Sequence, residues 1–239
     1  GYSYLINEGA FFTKDIVSKG LRIANIQYAE KGVLWFNVNS SGKSGHGSVP
    51  TPDYAVIKLL NFIDALQSHF SKRMISDEMQ MMFHQIGKKT SGVKGFVLKR
   101  THIPLFQNLL KETLNKSKHL NAMTKNTVSI TGLSTIDSLG MNVIGSQASA
   151  KIDMRILPSF RADDVENKVR EIAAKTGVSI EVVQKTDATK SELNSRFFNS
   201  LAVVSQSLIK GSTPSPLMSQ GATDSLYFRK LGLNCYGFV

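Results

Sequence analysis

Five stretches of the chain alternate between apolar and polar residues, the pattern of a strand that buries one of its two faces. They are residues 21–28, 33–40, 126–134, 148–158 and 178–186. Lys31 and Gly32 stand between the first two stretches, and this pair predicts a turn. We expect the fourth strand to stop at Pro158, because proline cannot donate a hydrogen bond to a strand ladder.

Two other stretches have the period of an amphipathic helix. In residues 51–70 the apolar side chains recur on one face, and Thr51 and Pro52 predict the N-cap and the first turn. In residues 162–177 acidic residues occupy the first turn, a lysine occupies the last, and Gly177 predicts the C-cap.

Residues 74–121 are rich in methionine and lysine and predict further helices, the clearest of them at residues 102–116. With this segment set aside as an insert, the order of elements is strand, helix, strand, strand, helix, strand. That order predicts an open antiparallel sheet with helices on one face, an α+β architecture over residues 32–186. Residues 1–31 and 187–239 then belong to a different body, which this block interrupts.

Composition narrows the class of protein only slightly. Of the 239 residues, 41% are hydrophobic and 20% are charged, which predicts a soluble globular protein, cytoplasmic or exported, with no membrane partner. The single Cys235 excludes a disulfide framework and a cysteine-rich zinc site. The net charge of +11 is spread over short clusters without interleaved aromatic residues, so we expect no nucleic-acid partner.

A glycine-rich loop, SGKSGHGSVP at residues 41–50, places His46 between two glycines. Local sequence leaves two interpretations open: a flexible turn, or a loop in which the backbone approaches a ligand that the imidazole contacts.

Four motifs together favour the second interpretation, a loop that contacts a ligand. They are INEGA, KGVLWFNVNSSGKSGHGSVP, NVIGSQASAKIDMRILP and SQGATDSLYFRKLGLNCYGF. In this order and spacing they resemble the zinc exopeptidase superfamily of aminoacylase, carboxypeptidase S, acetylornithine deacetylase and succinyl-diaminopimelate desuccinylase. The chain is most similar to the carboxypeptidase S branch, because of GATDSLYFRKLG and the long insert.

The resemblance implies an α/β protein. An α+β lid domain at residues 32–186, a four-stranded antiparallel sheet with helices on one face and the insert at 74–121, would lie within part of a zinc-peptidase α/β catalytic domain. Residues 1–31 and 187–239 would be the parts of that catalytic domain. Such lids often form dimers, so the resemblance implies a possible homodimer through the lid.

The resemblance also implies roles for particular residues. His46 would be the catalytic lid histidine, which in similar enzymes enters an active site, commonly that of the neighbouring subunit, and stabilises the oxyanion. Asn142 would contact substrate, although Gly145 replaces the proline usual in its motif. Arg155 would bind the substrate carboxylate. Glu8 would be a ligand to one of two zinc ions.

The GATD motif completes the predicted site. Gly221, Ala222 and Thr223 would present backbone N–H groups and a hydroxyl to the substrate, while Asp224 would order the loop. The reaction implied is hydrolysis of an amide next to a free carboxylate, in a peptide or an N-acyl amino acid.

The family's His-x-Asp and Glu-Glu motifs occur nowhere in the sequence. We therefore expect a fragment of a zinc-dependent enzyme that by itself neither holds two zinc ions nor hydrolyses a substrate. An alternative is a dimerisation module without chemistry of its own. A further alternative is a monomer, because extra lid structure replaces the dimer partner in some relatives.

Overall fold

The computed structural model describes residues 1–15, 19–135 and 140–238. The strands are β1 (Tyr4–Asn7), β2 (Phe12–Lys14), β3 (Arg22–Glu30), β4 (Gly32–Ser41), β5 (Gly45–His46), β6 (Thr127–Thr135), β7 (Val143–Ile144), β8 (Gln147–Ile156), β9 (Val178–Thr186), β10 (Thr189–Lys190), β11 (Ser212–Ser219) and β12 (Asn234–Gly237). The helices are α1 (Ala55–Phe70), α2 (Asp77–Lys88), α3 (Gly92–Leu98), α4 (Pro104–Leu109), α5 (Lys111–Lys116), α6 (Lys118–Met123), α7 (Ala162–Thr176), α8 (Arg196–Leu208) and α9 (Ser225–Lys230).

Four antiparallel strands in the order β6-β8-β4-β9 form one sheet, which we call the lid sheet. Alternate residues of β4, namely Leu34, Phe36 and Val38, are almost fully buried. They pack with the apolar faces of α1 and α7, and the Phe36 ring meets the edge of Phe62 from α1. The predicted four-stranded antiparallel sheet with helices on one face is therefore confirmed.

The second sheet contains strands from both ends of the chain. β11 runs parallel to β3 along its whole length, and β2, β12 and β10 pair with the other edge of β3. β12 in turn pairs in parallel with β1. Eight of the nine residues of β3 are buried, because this strand is covered on both faces.

The helices of the insert pack on this six-stranded sheet. Residues of α2, α3 and α5 share one apolar cluster with β3 and β11, and representative members are Met79, Phe83, Leu98, Leu114 and Leu217. The sequence predicts that the insert is part of the lid domain. From this packing we propose instead that the insert is part of the domain that contains the six-stranded sheet. The domain boundaries stay predictions.

Three local predictions from the sequence are wrong. Helix α1 begins at Ala55 after an extended Tyr54, so Thr51 is not its N-cap. The helix expected at residues 102–116 is two short helices that meet at Leu110. No turn joins β3 to β4; Lys31 alone carries the chain from one sheet to the other, at a point that we call the junction (residues 30–32).

Candidate functional site

The glycine-rich loop and the Asn142 loop meet beyond the end of the lid sheet. Past the last pair of β4 and β8, strand β5 pairs with β7, and His46 lies opposite Val143. The Gly47 N–H donates to the Asn142 carbonyl at 2.7 Å, and the Asn142 amide is 3.2 Å from His46 Nε2. We call residues 45–47 and 142–144 the lid tip. The structure therefore brings together His46 and Asn142, two of the residues singled out from the sequence.

Two contacts at the lid tip favour opposite tautomers of the His46 ring. The backbone N–H of Ser48 donates to His46 Nδ1 at 3.2 Å, and the Ser48 hydroxyl is 2.7 Å from the same atom. A backbone N–H can only donate, so this contact makes Nδ1 the acceptor and, in a neutral ring, places the proton on Nε2. The Asn142 atom beside Nε2 is the amide nitrogen, which is also a donor, so this tautomer pairs with Asn142 only after the amide is rotated to bring Oδ1 to Nε2. The side chain of His46 is exposed, and its Nε2 lies beside Asn142.

Arg155 lies at the other end of the lid sheet. It pairs across the ladder with Val33, near the start of β4, whereas the lid tip follows Ser41 at its end. Eight residues of β4 separate the two positions, about 26 Å at the rise of a strand. The guanidinium of Arg155 binds both carboxylate oxygens of Asp153, at 2.8 and 3.0 Å, and faces the Trp35 ring at 5.5 Å.

Glu8 and the loop of residues 221–223 lie together on the six-stranded sheet. Asn7, the last residue of β1, donates from its amide to the Ser225 hydroxyl at 3.1 Å and to the Thr223 hydroxyl at 3.5 Å. Glu8 follows directly and is exposed, as are Gly221 and Ala222. This group contains neither His46 nor Asn142.

A buried carboxylate that was not predicted from the sequence anchors the loop. Glu30, at the end of β3, is 1% exposed. Its Oε1 accepts hydrogen bonds from the N–H of Thr223 at 3.1 Å, from the Thr223 hydroxyl, and from the Gln27 amide at 2.6 Å. Thr223 therefore directs its two donors to Glu30, and its role in this structure is to fix the loop.

Arg229 supplies the positive charge for this carboxylate. Its Nη1 is 3.3 Å from Glu30 Oε2, close enough for an ion pair, although the alignment is not that of a hydrogen bond. The same guanidinium donates to the Ser191 hydroxyl at 3.0 Å and to the Cys235 carbonyl at 2.8 Å. Burial lowers the pKa of Arg229, and the charge of Glu30 opposes that shift.

Lys31, the junction residue, is also buried. Its ammonium donates to the carbonyls of Ala122 and Lys125, at 3.0 and 2.6 Å. Burial, followed by repulsion from Arg155, lowers the pKa of Lys31 from 10.5 to about 7. The signal for Gln27, Glu30 and Lys31 in the sequence was their position among apolar residues, the first two in β3 and Lys31 directly after it.

The zinc ions that the fold family implies do not fit the residues present. Among residues 1–15, 19–135 and 140–238, no group of three or more histidine, cysteine, aspartate or glutamate side chains is placed to hold a metal ion. Glu8 is one carboxylate, and a zinc site needs three or four protein ligands. In the same described ranges, no helix is long and apolar enough to cross a membrane.

Comparison with known proteins identifies the family to which this architecture corresponds. A family model described as the peptidase dimerisation domain of the M20 group matches residues 28–181. A probable carboxypeptidase S-like protein of Dictyostelium discoideum is 23% identical over 99% of the chain and 46% of its own length. Aminoacylase-1 of the same organism is 24% identical over 88% of the chain and 45% of its own length. A human N-fatty-acyl-amino acid synthase/hydrolase is 23% identical over 99% of the chain and 47% of its own length.

Solved structures agree on the fold. A dipeptidase of Saccharomyces cerevisiae superposes with a TM-score of 0.63 at 14% identity, covering 99% of this chain and 52% of that one. An M20 family metallo-carboxypeptidase of Sulfolobus solfataricus gives 0.58 at 18% identity, covering 90% and 52%. The chain spans about half the length of the curated relatives that it matches. Since the family model covers more than half of the sequence, the chain belongs to the peptidase dimerisation domain family of the M20 peptidases.

Proposed function

We propose that this chain forms the lid and part of the catalytic body of a zinc-dependent hydrolase. Its substrate would be a peptide or an N-acyl amino acid, cleaved at an amide next to a free carboxylate. The relatives named as carboxypeptidase S-like and aminoacylase support this reaction class. The relative named for N-fatty-acyl amino acids supports long acyl groups within the substrate class.

The contact between His46 and Asn142 at the lid tip is the observation that carries the proposal. The Ser48 N–H at Nδ1 favours the tautomer with its N–H on Nε2, and a rotated Asn142 amide would accept from that N–H, on an exposed and glycine-flanked loop. A neutral N–H donor suits the negative charge that develops on a carbonyl oxygen during amide hydrolysis. Asn142 would orient the ring, and its amide would contact the same substrate.

The separation within the lid supports catalysis between subunits. About 26 Å of β4 lies between the lid tip and the junction, on the basis of strand rise, and Glu30 at the junction bonds the loop of residues 221–223. We infer that His46 serves the active site of a second copy, while Arg155 and the 221–223 loop serve the site of their own subunit.

Arg155 would bind the carboxylate end of the substrate. Its present partner, Asp153, already occupies the two-point geometry that a guanidinium offers a carboxylate. Binding of substrate would require Asp153 to yield that position. Gly221 and Ala222 would line the substrate with exposed backbone, held in place because Thr223 is bound to Glu30.

Zinc binding would involve Glu8 together with ligands from the rest of the proposed hydrolase. One carboxylate does not fit a two-zinc site, so we derive no catalytic step from the metal. For the same reason we expect the 239-residue chain alone to be inactive.

The experiment measures kcat on the intact enzyme, meaning this chain joined to the rest of the proposed hydrolase. His46→Ala should lower kcat for an N-acyl amino acid by about 100-fold to 1,000-fold, the usual cost of one oxyanion donor. His102→Ala is the matched control, because His102 is exposed and lies on another part of the chain. A substrate whose carboxylate is converted to an amide should react poorly with all three proteins. Unchanged kcat in His46→Ala would contradict the proposal.

We also infer a homodimer through the lid, as the family description suggests. In the described part of the chain, β6 and β9 each have one neighbouring strand, so the lid sheet ends in two open edges. Large apolar side chains are exposed on both edges, Leu133 on β6 and Val183 on β9. Open strand edges are the usual sites of sheet extension by a second chain. Sedimentation equilibrium should give twice the monomer mass of 26.3 kDa, and a monomer at all concentrations would refute the dimer.

A further inference from the structure

A large apolar cavity lies between part of the helical insert and the six-stranded sheet. Its volume is about 480 Å³. The insert forms one wall and the sheet forms the other, with Met82, Ile86, Leu98, Leu114, Met123 and Leu217 among the lining residues. Each of these six side chains is at most 5% exposed.

This cavity opens to solvent, since Phe11, which lines it, is 49% exposed, and it is larger than a packing defect. Protein interiors are close-packed, and voids larger than a water molecule are few in a domain. Binding sites for small molecules instead have volumes of about 300–1,000 Å³ and mostly apolar walls. The volume and the lining of this cavity therefore fit a bound apolar group.

Polar residues also line the cavity, and one of them adjoins the candidate site. Gln220, the residue before Gly221, lines the cavity and donates from its amide to the His119 carbonyl at 3.0 Å. The ring of His119 also lines the cavity, with Nδ1 at 3.4 Å from Gln220 Oε1. None of the lining side chains in the described residues is acidic. An apolar chain that leaves the cavity past Gln220 would reach the 221–223 loop without meeting a negative charge from the lining.

We propose that the cavity binds the alkyl chain of an N-acyl amino acid whose amide lies at the 221–223 loop. The inference rests on the proposed function for the reacting end of the ligand. It adds the position of the acyl group and assigns the helical insert a role as the outer wall of an acyl pocket. Substrate preference is then set by the length of the apolar chain that fits between insert and sheet.

The first test measures binding to the 239-residue chain by isothermal titration calorimetry. The probes are N-acetyl-, N-octanoyl- and N-dodecanoyl-glycine, each kept below its micellar concentration. We expect saturable binding of one dodecanoyl ligand, with affinity rising about fourfold per added methylene between the octanoyl and dodecanoyl probes. N-acetylglycine should bind too weakly to measure.

Two variants on one strand locate the ligand. Thr13 of β2 lines the cavity, whereas the next residue, Lys14, is exposed and lies on the opposite face. Thr13→Trp should fill the cavity and lower dodecanoyl affinity at least tenfold, and Lys14→Trp should leave it unchanged. Leu120→Trp, on the insert wall, repeats the test if Thr13→Trp fails to fold. Equal affinity in wild type and in a folded cavity variant would overturn the proposal, as would the absence of dodecanoyl binding.

The second test uses the intact enzyme and separates this inference from the proposed function. The ratio of kcat/KM for the dodecanoyl substrate over the acetyl substrate should exceed unity and fall at least tenfold in Thr13→Trp, with no change in Lys14→Trp. Hydrolysis of both substrates without a length preference would mean that another segment of the enzyme fills the cavity, and would overturn the acyl pocket alone. No hydrolysis of either substrate would refute the proposed function, while calorimetry would still decide the pocket.

Discussion

Replacing Arg229 with methionine should destabilise the six-stranded body more than any surface substitution. The side chains of Arg229 and Glu30 are 3% and 1% exposed, and their charged atoms are 3.3 Å apart. Methionine keeps much of the volume and removes the charge. The Glu30 carboxylate then keeps its bonds to Thr223 and Gln27, but it has lost its cation in a buried position.

The expected loss is about 3–5 kcal/mol of the free energy of unfolding, the usual cost of removing one partner from a buried ion pair. Three hydrogen bonds from the guanidinium, to the hydroxyls of Ser191 and Thr189 and to the Cys235 carbonyl, are lost as well, which favours the upper part of that range. For a chain of this size, each kcal/mol shifts Tm by about 2–4 °C.

Urea unfolding followed by circular dichroism measures this loss directly. The double variant Glu30→Gln with Arg229→Met removes the unpaired charge and should recover part of the stability. Arg196→Met, which changes an exposed arginine at the start of α8, is the control and should alter stability by less than about 0.5 kcal/mol. A loss below about 1 kcal/mol in Arg229→Met would show that the pair is solvated, and the account of the loop anchor would be wrong.

Three further outcomes are expected. The pKa of Lys31 is lower in the folded protein, at about 7, than its ordinary value of 10.5. The free energy of unfolding of the wild type should therefore rise relative to that of Lys31→Met from about pH 7 to pH 10, by at most about 1.4 kcal/mol per pH unit. If the two proteins show the same dependence of stability on pH, the lowered pKa of Lys31 is wrong. Gly9 has φ +105°, and an added Cβ would lie 1.9 Å from Gln27 Oε1. Gly9→Ala should therefore lower the free energy of unfolding, measured in urea, by about 1–3 kcal/mol. Gly45→Ala is the control and should leave it unchanged, because an added Cβ there meets open space. Elemental analysis of the 239-residue chain, dialysed with zinc and desalted, should give close to no zinc, and two ions per chain would contradict the incomplete ligand set.

Regular elements with one buried face were predicted well from the sequence. Strand β9 spans the predicted residues 178–186, and β4 and β8 differ from their predictions by at most two residues at each end. Gly177 ends α7 with φ +71°, as its position predicted. These features depend on local alternation and on backbone preferences, which the sequence displays directly.

The contacts within the candidate site could not be predicted in the same way. Glu30 and Arg229 are almost the whole chain apart, and their pairing depends on β3 lying in the centre of a sheet built from both chain ends. The position of the insert likewise depends on tertiary packing, because its apolar faces could cover either the six-stranded sheet or the lid sheet. Helical period fixes which face of a helix is apolar, and it does not fix the surface which that face covers.

The central claim, that His46 completes the site of a second copy, is tested most directly by mixing two inactive variants of the intact enzyme. His46→Ala should keep at most about 1% of wild-type activity alone, and Glu8→Ala, which removes a proposed zinc ligand, should be inactive. When co-expressed in equal amounts they should recover about a quarter of wild-type activity, because half of randomly assembled dimers are mixed and each mixed dimer has one intact site. Activity no higher than that of either variant alone would contradict catalysis between subunits.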